Sequence, residues 1–222
     1  MNDLWLFIII LAVPLIADLN VKGTYKKYLK VKNKGNLTGQ EVARKILDKH
    51  GLQDVYVVET SGMLTDHYDP KRKVVRLSHA IYSGSTIASI AVASHECGHA
   101  IQDKEGYVFM RIRSAIFPIV NIATSISYYI ILIGFLAEIF NLIYLGIGLT
   151  SLGLVFQIIT LPVEFNASHR AKEELDKISV VSDDEITGTK KMLTSAALTY
   201  VAGVLASALN ILRLLLAVNR RD

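Results

Sequence analysis

Three stretches of this 222-residue chain run for more than twenty residues without a charged side chain, and they restrict the class of fold. They cover residues 115–137, 139–163 and 192–212. A helix needs about 20 apolar residues to cross the hydrocarbon core of a bilayer, so each stretch predicts a transmembrane helix. The mean hydropathy of +0.37 agrees, because water-soluble domains are usually less apolar.

A fourth apolar run, residues 4–17, is shorter and contains Pro14. It resembles a cleaved signal peptide or an interfacial segment in length, but residues 1–3 include no Lys or Arg and no small-residue cleavage site is evident. We therefore interpret it as a membrane anchor, which makes about four spans. The first two long stretches are separated only by Glu138, and this spacing predicts a tight helical hairpin.

Basic residues beside these spans predict the orientation of the chain. They cluster after the first span, before the second, and between the third and fourth; they are Lys22, Lys26, Lys27, Lys30, Lys32, Lys34, Arg111, Arg113, Arg170, Lys172, Lys177, Lys190 and Lys191. The positive-inside rule then places residues 21–114 and 164–191 in the cytoplasm and the protein in the cytoplasmic membrane, although the C-terminal arginines oppose this. The net charge of +4 favours anionic lipid as a partner over nucleic acid.

The segment between the first two spans predicts a small α+β domain. Thr38 and Glu41 form a capping-box pattern that opens a helix ended by Gly51. Residues 54–60, 63–68 and 73–78 read as three short strands, and a meander is the simplest arrangement for them. A helical pattern begins at Ser85. A second capping box at residues 182–185 is predicted to open the last helix.

The motif His-Glu-x-x-His, with histidines at positions 95 and 99, lies on the helix that follows Ser85. Residues i and i+4 share one helical face, so both imidazoles can bind one metal ion while Glu96 reaches its water. Two solvated histidines on a surface helix are the alternative. The apolar run before His95 predicts a buried helix instead, where unpaired histidines are costly. Neutral imidazoles at this spacing favour one Zn²⁺ per chain.

A catalytic zinc ion needs a third protein ligand, and topology predicts Glu164. Two spans return the chain to the side that it left, and Glu164 is the first ionisable group after the 25-residue apolar run. A carboxylate at the membrane edge favours a positive partner, which could instead be Arg170 or water. Glu173, Glu174 and Asp176 are weaker candidates, since they belong to a dense charge pattern typical of a solvated surface.

Five stretches carry a family resemblance: residues 64–70 (LTDHYDP), 76–78 (RLS), 95–102 (HECGHAIQ), 160–168 (TLPVEFNAS) and 196–201 (AALTYV). In this order they resemble the YugP-type family of membrane neutral zinc metallopeptidases, over essentially the whole chain. The resemblance implies a zincin-like catalytic domain in which His95, His99 and Glu164 bind zinc and Glu96 is the catalytic base. Members often carry Asp at the position of Asn166 and Val at that of Cys97.

The sequence therefore predicts an α-helical integral membrane protein with a small α+β cytoplasmic domain, acting as an endopeptidase on peptide or membrane-protein substrates. Strand 73–78 is predicted to be an exposed edge for substrate, and His67, Tyr68 and His169 are candidates for oxyanion or substrate contacts. A zinc-binding scaffold or chaperone-like protein without turnover is the alternative, and a transporter is disfavoured by the scarcity of ionisable groups in the spans. No oligomeric state is indicated.

These features divide the chain into five predicted regions. They are an anchor at 1–21, a catalytic domain at 22–114, a transmembrane hairpin at 115–163, a third-ligand helix with its connecting segment at 164–191, and a transmembrane helix at 192–222.

Overall fold

A computed structural model describes residues 3–178 and 183–219 of the chain. The described part is mostly helical, with one small sheet. The helices are α1 (Asp3–Tyr28), α2 (Gly39–Lys49), α3 (His79–Tyr82), α4 (Ile87–Lys104), α5 (Val108–Leu136), α6 (Phe140–Lys177) and α7 (Asp183–Asn219). The strands are β1 (Tyr56–Thr60), β2 (His67–Asp69) and β3 (Val74–Ser78). Ser182, the predicted cap of the last helix, lies outside the described residues.

Four helices, α1, α5, α6 and α7, are long and apolar enough to span a membrane, which agrees with the predicted number of spans. The chain divides into two compact units. The first unit comprises Met1–Asp18, Arg111–Pro162 and Leu198–Asp222; the second comprises Leu19–Met110 and Val163–Ala197.

The first unit contains the predicted helical hairpin. Three residues connect α5 to α6, and the middle one, Glu138, has a positive φ of 57°. The two helices approach closely at glycines, since a Cβ atom added at Gly134 or Gly146 would lie within 3 Å of an isoleucine side chain on the other helix. Elsewhere in this unit large apolar side chains, including Ile119 and Leu136, are exposed. Such apolar surface is typical of helices that contact lipid.

In the second unit the sheet has the order β1-β3-β2, with β1 parallel and β2 antiparallel to β3. The predicted meander is therefore wrong, and so is the prediction that strand 73–78 lies at an edge. The reason is burial: β3 carries nearly continuous apolar residues, of which Val75 and Leu77 are fully buried. Strands that are buried on both faces carry such continuous apolar runs, whereas β1 and β2 each contain exposed residues.

The core of the second unit lies between α2 and α4. Thr38 and Glu41 form the predicted capping box, because each side chain accepts a hydrogen bond from the backbone of the other. The helix that they open buries its apolar face, with Ile46 and Leu47 inaccessible to solvent. Helix α2 packs against the face of α4 that is opposite to the histidines, and this contact holds the histidine-bearing helix in place.

Candidate metal centre

The two histidines of the motif share one face of α4. His95 is partly buried, and His99 is buried, with an exposed fraction of 8%. The centroids of the two rings are 4.8 Å apart. The helix is buried over most of its length, from Ile87 to Gln102. The alternative of two solvated histidines on a surface helix is therefore excluded by the burial of α4.

Glu164 of α6 faces this pair. Its side chain is 2% exposed, and its Oε2 atom lies 3.3 Å from Nε2 of His95 and 3.6 Å from Nε2 of His99. One ligand atom from each residue falls within 4.8 Å of the other two. A tetrahedral zinc ion with bonds of about 2.0–2.1 Å places its ligand atoms about 3.4 Å apart. Two imidazoles and one carboxylate at these separations fit a zinc ion with an open fourth position.

A glycine allows α6 to come this close to α4. A Cβ atom added at Gly98 would lie 2.6 Å from the backbone oxygen of Ala167. Real side chains do not approach a backbone atom so closely, so any larger residue at position 98 would push the helices apart. Gly98 lies between the motif's histidines, and Ala167 follows Glu164 by three residues. The glycine therefore sets the spacing between the two ligand-bearing helices.

Each histidine has a second polar contact through its Nδ1 atom. Nδ1 of His99 lies 3.0 Å from Oε1 of Gln102, and Nδ1 of His95 lies 3.2 Å from Oγ of Ser168. Such contacts orient metal-binding imidazoles and leave Nε2 free for the metal. Neither partner was predicted from the sequence. Gln102 could have been found from its position three residues after His99, on the same side of the helix.

Glu96 is buried beside the ligands but is not one of the three grouped residues. Its side chain is 7% exposed, and burial raises the pKa of its carboxyl group above the usual value. A carboxylate with a raised pKa accepts a proton more readily, which suits a general base near neutral pH. Cys97 points away from the histidines, since its Sγ atom lies 3.6 Å from the backbone oxygen of Ala43 on α2.

The three predicted oxyanion or substrate contacts are in different settings. His67 is exposed on β2, with Nδ1 2.8 Å from the backbone oxygen of Thr65. The buried hydroxyl of Tyr68 donates a hydrogen bond to Asp103, and burial together with this carboxylate raises its pKa. His169 is mostly exposed and lies 3.2 Å from Glu173. The structure does not group any of these three with the candidate ligands.

Two charged residues of α6, Arg170 and Glu174, have other partners than the sequence predicts. Arg170 was the alternative partner of Glu164; its guanidinium instead contacts Glu105 at 2.7 Å and Asn166 at 2.7 Å. Glu174 was expected to be solvated, which is wrong, because its side chain is buried and lies 3.0 Å from Lys49 and 3.1 Å from His50. Glu174 faces the end of α2. The charged residues that surround it in the sequence had suggested a solvated position instead.

Comparisons with known proteins identify the family of the chain. A family model described as "Putative neutral zinc metallopeptidase" matches residues 4–219 of the chain. The chain belongs to this family. A relative in Bacillus subtilis (strain 168), named "Putative membrane protease YugP", is 47% identical over 222 residues, which cover 99% of each chain. No solved structure matches the chain.

Membership in this family implies zinc, and His95, His99 and Glu164 form a candidate site for it. The name of the relative and the four apolar helices together indicate that the protein associates with a membrane. The family resemblance found in the sequence is thereby confirmed.

Proposed function

We propose that the protein is a membrane-embedded zinc-dependent endopeptidase. His95, His99 and Glu164 are the zinc ligands, one ion is bound per chain, and Glu96 is the catalytic base. The observation that supports this most strongly is the convergence of the three ligand atoms, drawn from α4 and α6, next to a buried fourth carboxylate. A merely structural zinc site would have four protein ligands and no need for a buried base.

When bound, zinc polarises the scissile carbonyl and lowers the pKa of water to about 7. The chain's own contribution starts with Glu96, whose carboxylate takes a proton from the attacking water. The same carboxyl group then donates that proton to the nitrogen of the leaving amine. Burial supports both steps, because the raised pKa of Glu96 brings its protonated and ionised forms closer in free energy.

An extended substrate is proposed to bind near β2, in a zincin-like arrangement. Since β3 is the central strand, the sheet's edges are β1 and β2. The strand that is tied to α4 is β2, through the hydrogen bond from Tyr68 to Asp103. A peptide paired with this edge would pass His67 and lie beside the helix that carries Glu96. We propose His67, Tyr68 and His169 as the residues to test for substrate or oxyanion contacts.

The deciding experiment compares wild type with Glu96→Gln on a mixture of peptides and detergent-solubilised membrane proteins. Wild type is expected to release new N-termini, and Glu96→Gln is expected to lower kcat/KM by about 10²–10⁴-fold while retaining zinc. Equal cleavage by both proteins would reject Glu96 as the base. Zinc binding by wild type without any cleavage would favour the alternative, a zinc-binding membrane scaffold or chaperone-like protein.

We further propose that the second unit faces the cytoplasm from the cytoplasmic membrane. The support is the run of exposed lysines at the end of α1 and after it, including Lys26, Lys27, Lys30 and Lys32. No acidic residue occurs from position 19 to position 40. Lysines next to an apolar helix favour the cytoplasmic side, where anionic lipid headgroups would contact them. Nucleic acid remains the less favoured partner.

Introduced cysteines test this orientation in intact cells. Lys71→Cys and Lys190→Cys are exposed positions that should be protected from an impermeant thiol reagent, whereas Glu138→Cys in the α5–α6 connection should react. Background labelling should be low, because Cys97 is the chain's one cysteine and is fully buried. Labelling of position 71 or 190 from outside would overturn the assignment.

A further inference from the structure

Gln102 is a completely buried polar side chain that connects α4 to α6. Its exposed fraction is 0%, and both ends of its amide group are bonded. The Oε1 atom lies 3.0 Å from Nδ1 of His99. The Nε2 atom donates to the backbone oxygen of Val163 at 2.8 Å and to Oδ1 of Asn166 at 2.9 Å. One side chain therefore contacts a candidate ligand on α4 and two residues beside Glu164 on α6.

The direction of these hydrogen bonds is fixed by groups that can act in one way only. A backbone carbonyl accepts, so the NH₂ end of Gln102 must face Val163. An arginine donates, so the oxygen of Asn166 must face Nε of Arg170, which lies 2.7 Å away. The same oxygen accepts the second proton of Gln102. Arg170 is held in turn by Glu105 at 2.7 Å.

The remaining end of Gln102 is its oxygen, and that oxygen can only accept a hydrogen bond from His99. A neutral imidazole carries one proton, and a proton on Nδ1 leaves the lone pair on Nε2. It is Nε2 that lies 3.6 Å from Oε2 of Glu164. Arg170 and Gln102 thus both donate to the oxygen of Asn166, and Gln102 accepts from Nδ1 of His99, which leaves Nε2 of that ring for the candidate metal position.

We propose that Gln102, held by Asn166 and Arg170, is a positioning residue that keeps the proton of His99 on Nδ1 and so presents Nε2 to zinc. This inference rests on the proposed zinc site. His95 differs, because its partner is the hydroxyl of Ser168, which can donate or accept. The hydrogen bonds of Gln102 therefore fix the tautomer of His99 and not that of His95. They also couple the orientation of His99 on α4 to the placement of Glu164 on α6.

The test measures the zinc Kd of the full-length protein in detergent by competition with a chromophoric chelator, together with the thermal midpoint of the zinc-free protein. Gln102→Met keeps the length of the side chain but removes both polar ends. We expect its zinc Kd to rise about 10- to 100-fold, the usual effect of losing a contact behind a metal-binding histidine. Cys97→Val is the matched control, a buried change on α4 that faces α2; its Kd should stay at the wild-type value.

A pair of changes at position 166 separates positioning from packing. Asn166→Asp keeps an acceptor oxygen for Gln102 and Arg170, so its zinc Kd should stay within about 3-fold of wild type, less than a typical loss of such a contact. Asn166→Leu has no acceptor and should weaken zinc binding as Gln102→Met does. Asn166 is partly exposed, so these variants are expected to fold even if Gln102→Met does not.

The outcomes distinguish the inference from the proposed function. If wild type itself binds no zinc, the proposed function fails before any variant is compared. If wild type binds zinc and Gln102→Met binds it equally well, the positioning role is rejected. Equal weakening by Asn166→Asp and Asn166→Leu would reject the role of the acceptor oxygen at position 166. Weakening by Gln102→Met and Asn166→Leu alone, with unchanged thermal midpoints of the zinc-free proteins, supports the proposal.

Discussion

The two helices that form the candidate metal site contribute to it in different ways. On α4 the positions of His95 and His99 follow from the repeat of one helix, so four residues of sequence determine their spacing. On α6 the position of Glu164 depends on tertiary packing: the close approach at Gly98 and the bonds from Gln102 to Val163 and Asn166. The α4 half of the site is therefore determined by local sequence, whereas the α6 half is determined by helix–helix contacts.

The largest expected effect comes from removing the α6 ligand itself. Glu164→Gln should raise the zinc Kd by at least about 100-fold, more than the loss of a supporting contact, because a neutral amide is a poor ligand for a divalent cation. His99→Asn, the matched change on α4, should weaken zinc binding to a similar degree. Metal content after dialysis of the purified variants provides the measurement. Full zinc occupancy in Glu164→Gln would show that the histidines of α4 bind zinc without a ligand from α6.

A smaller effect is expected from changing the spacing of the two helices without changing a ligand. Gly98→Ala places a methyl group against the backbone of Ala167, so α6 must shift. We expect a loss of stability of about 1–3 kcal/mol and weaker zinc binding, both measured on the purified protein. Gly148→Ala is the control, because nothing lies within 4 Å of its added Cβ atom. Wild-type zinc affinity in Gly98→Ala would mean that the α4–α6 approach does not position Glu164.

The smallest expected effect concerns the far end of α6, where its contact with α2 is ionic. Glu174→Gln removes a buried carboxylate that contacts Lys49, His50 and Lys177. Both lysines keep access to water, so the expected loss of unfolding free energy is about 1–2 kcal/mol, with zinc affinity unchanged.

Glu173→Gln serves as the comparison for Glu174→Gln, since Glu173 is 50% exposed and pairs with the exposed His169. Its effect should be below about 0.5 kcal/mol. Thermal unfolding of the two variants side by side gives the answer. If Glu173→Gln were the more destabilising change, the contacts of the buried Glu174 would not contribute to the free energy of unfolding.

The sequence was sufficient wherever a feature depended on local periodicity or on counting spans. The capping box at Thr38, the helix around His95 and the four apolar helices all follow from residues close together in the chain. Glu164 could be singled out because two spans return the chain to one side. These predictions need no knowledge of which helix faces contact each other.

Features that depend on packing could not be predicted in this way. Turn signals favoured pairing of consecutive strands, but the burial of β3 makes it the central strand and pairs it with β1, a partner distant in sequence. Ser168 was missed because its contact with His95 appears only when the faces of α4 and α6 are matched. Glu174 lies among charged neighbours that suggest a solvated surface, and only the fold shows that it is turned toward α2.

The division of the candidate ligands between α4 and α6 has a consequence for the order in which the site forms during synthesis. When a ribosome has completed α4, the nascent chain carries two histidines and no third ligand. Glu164 follows only after residues 115–163, the stretch predicted to form the transmembrane hairpin. A partial site of two imidazoles binds zinc more weakly than a complete one. We therefore expect a nascent chain to bind zinc at this site with full affinity only after Glu164 has been synthesised.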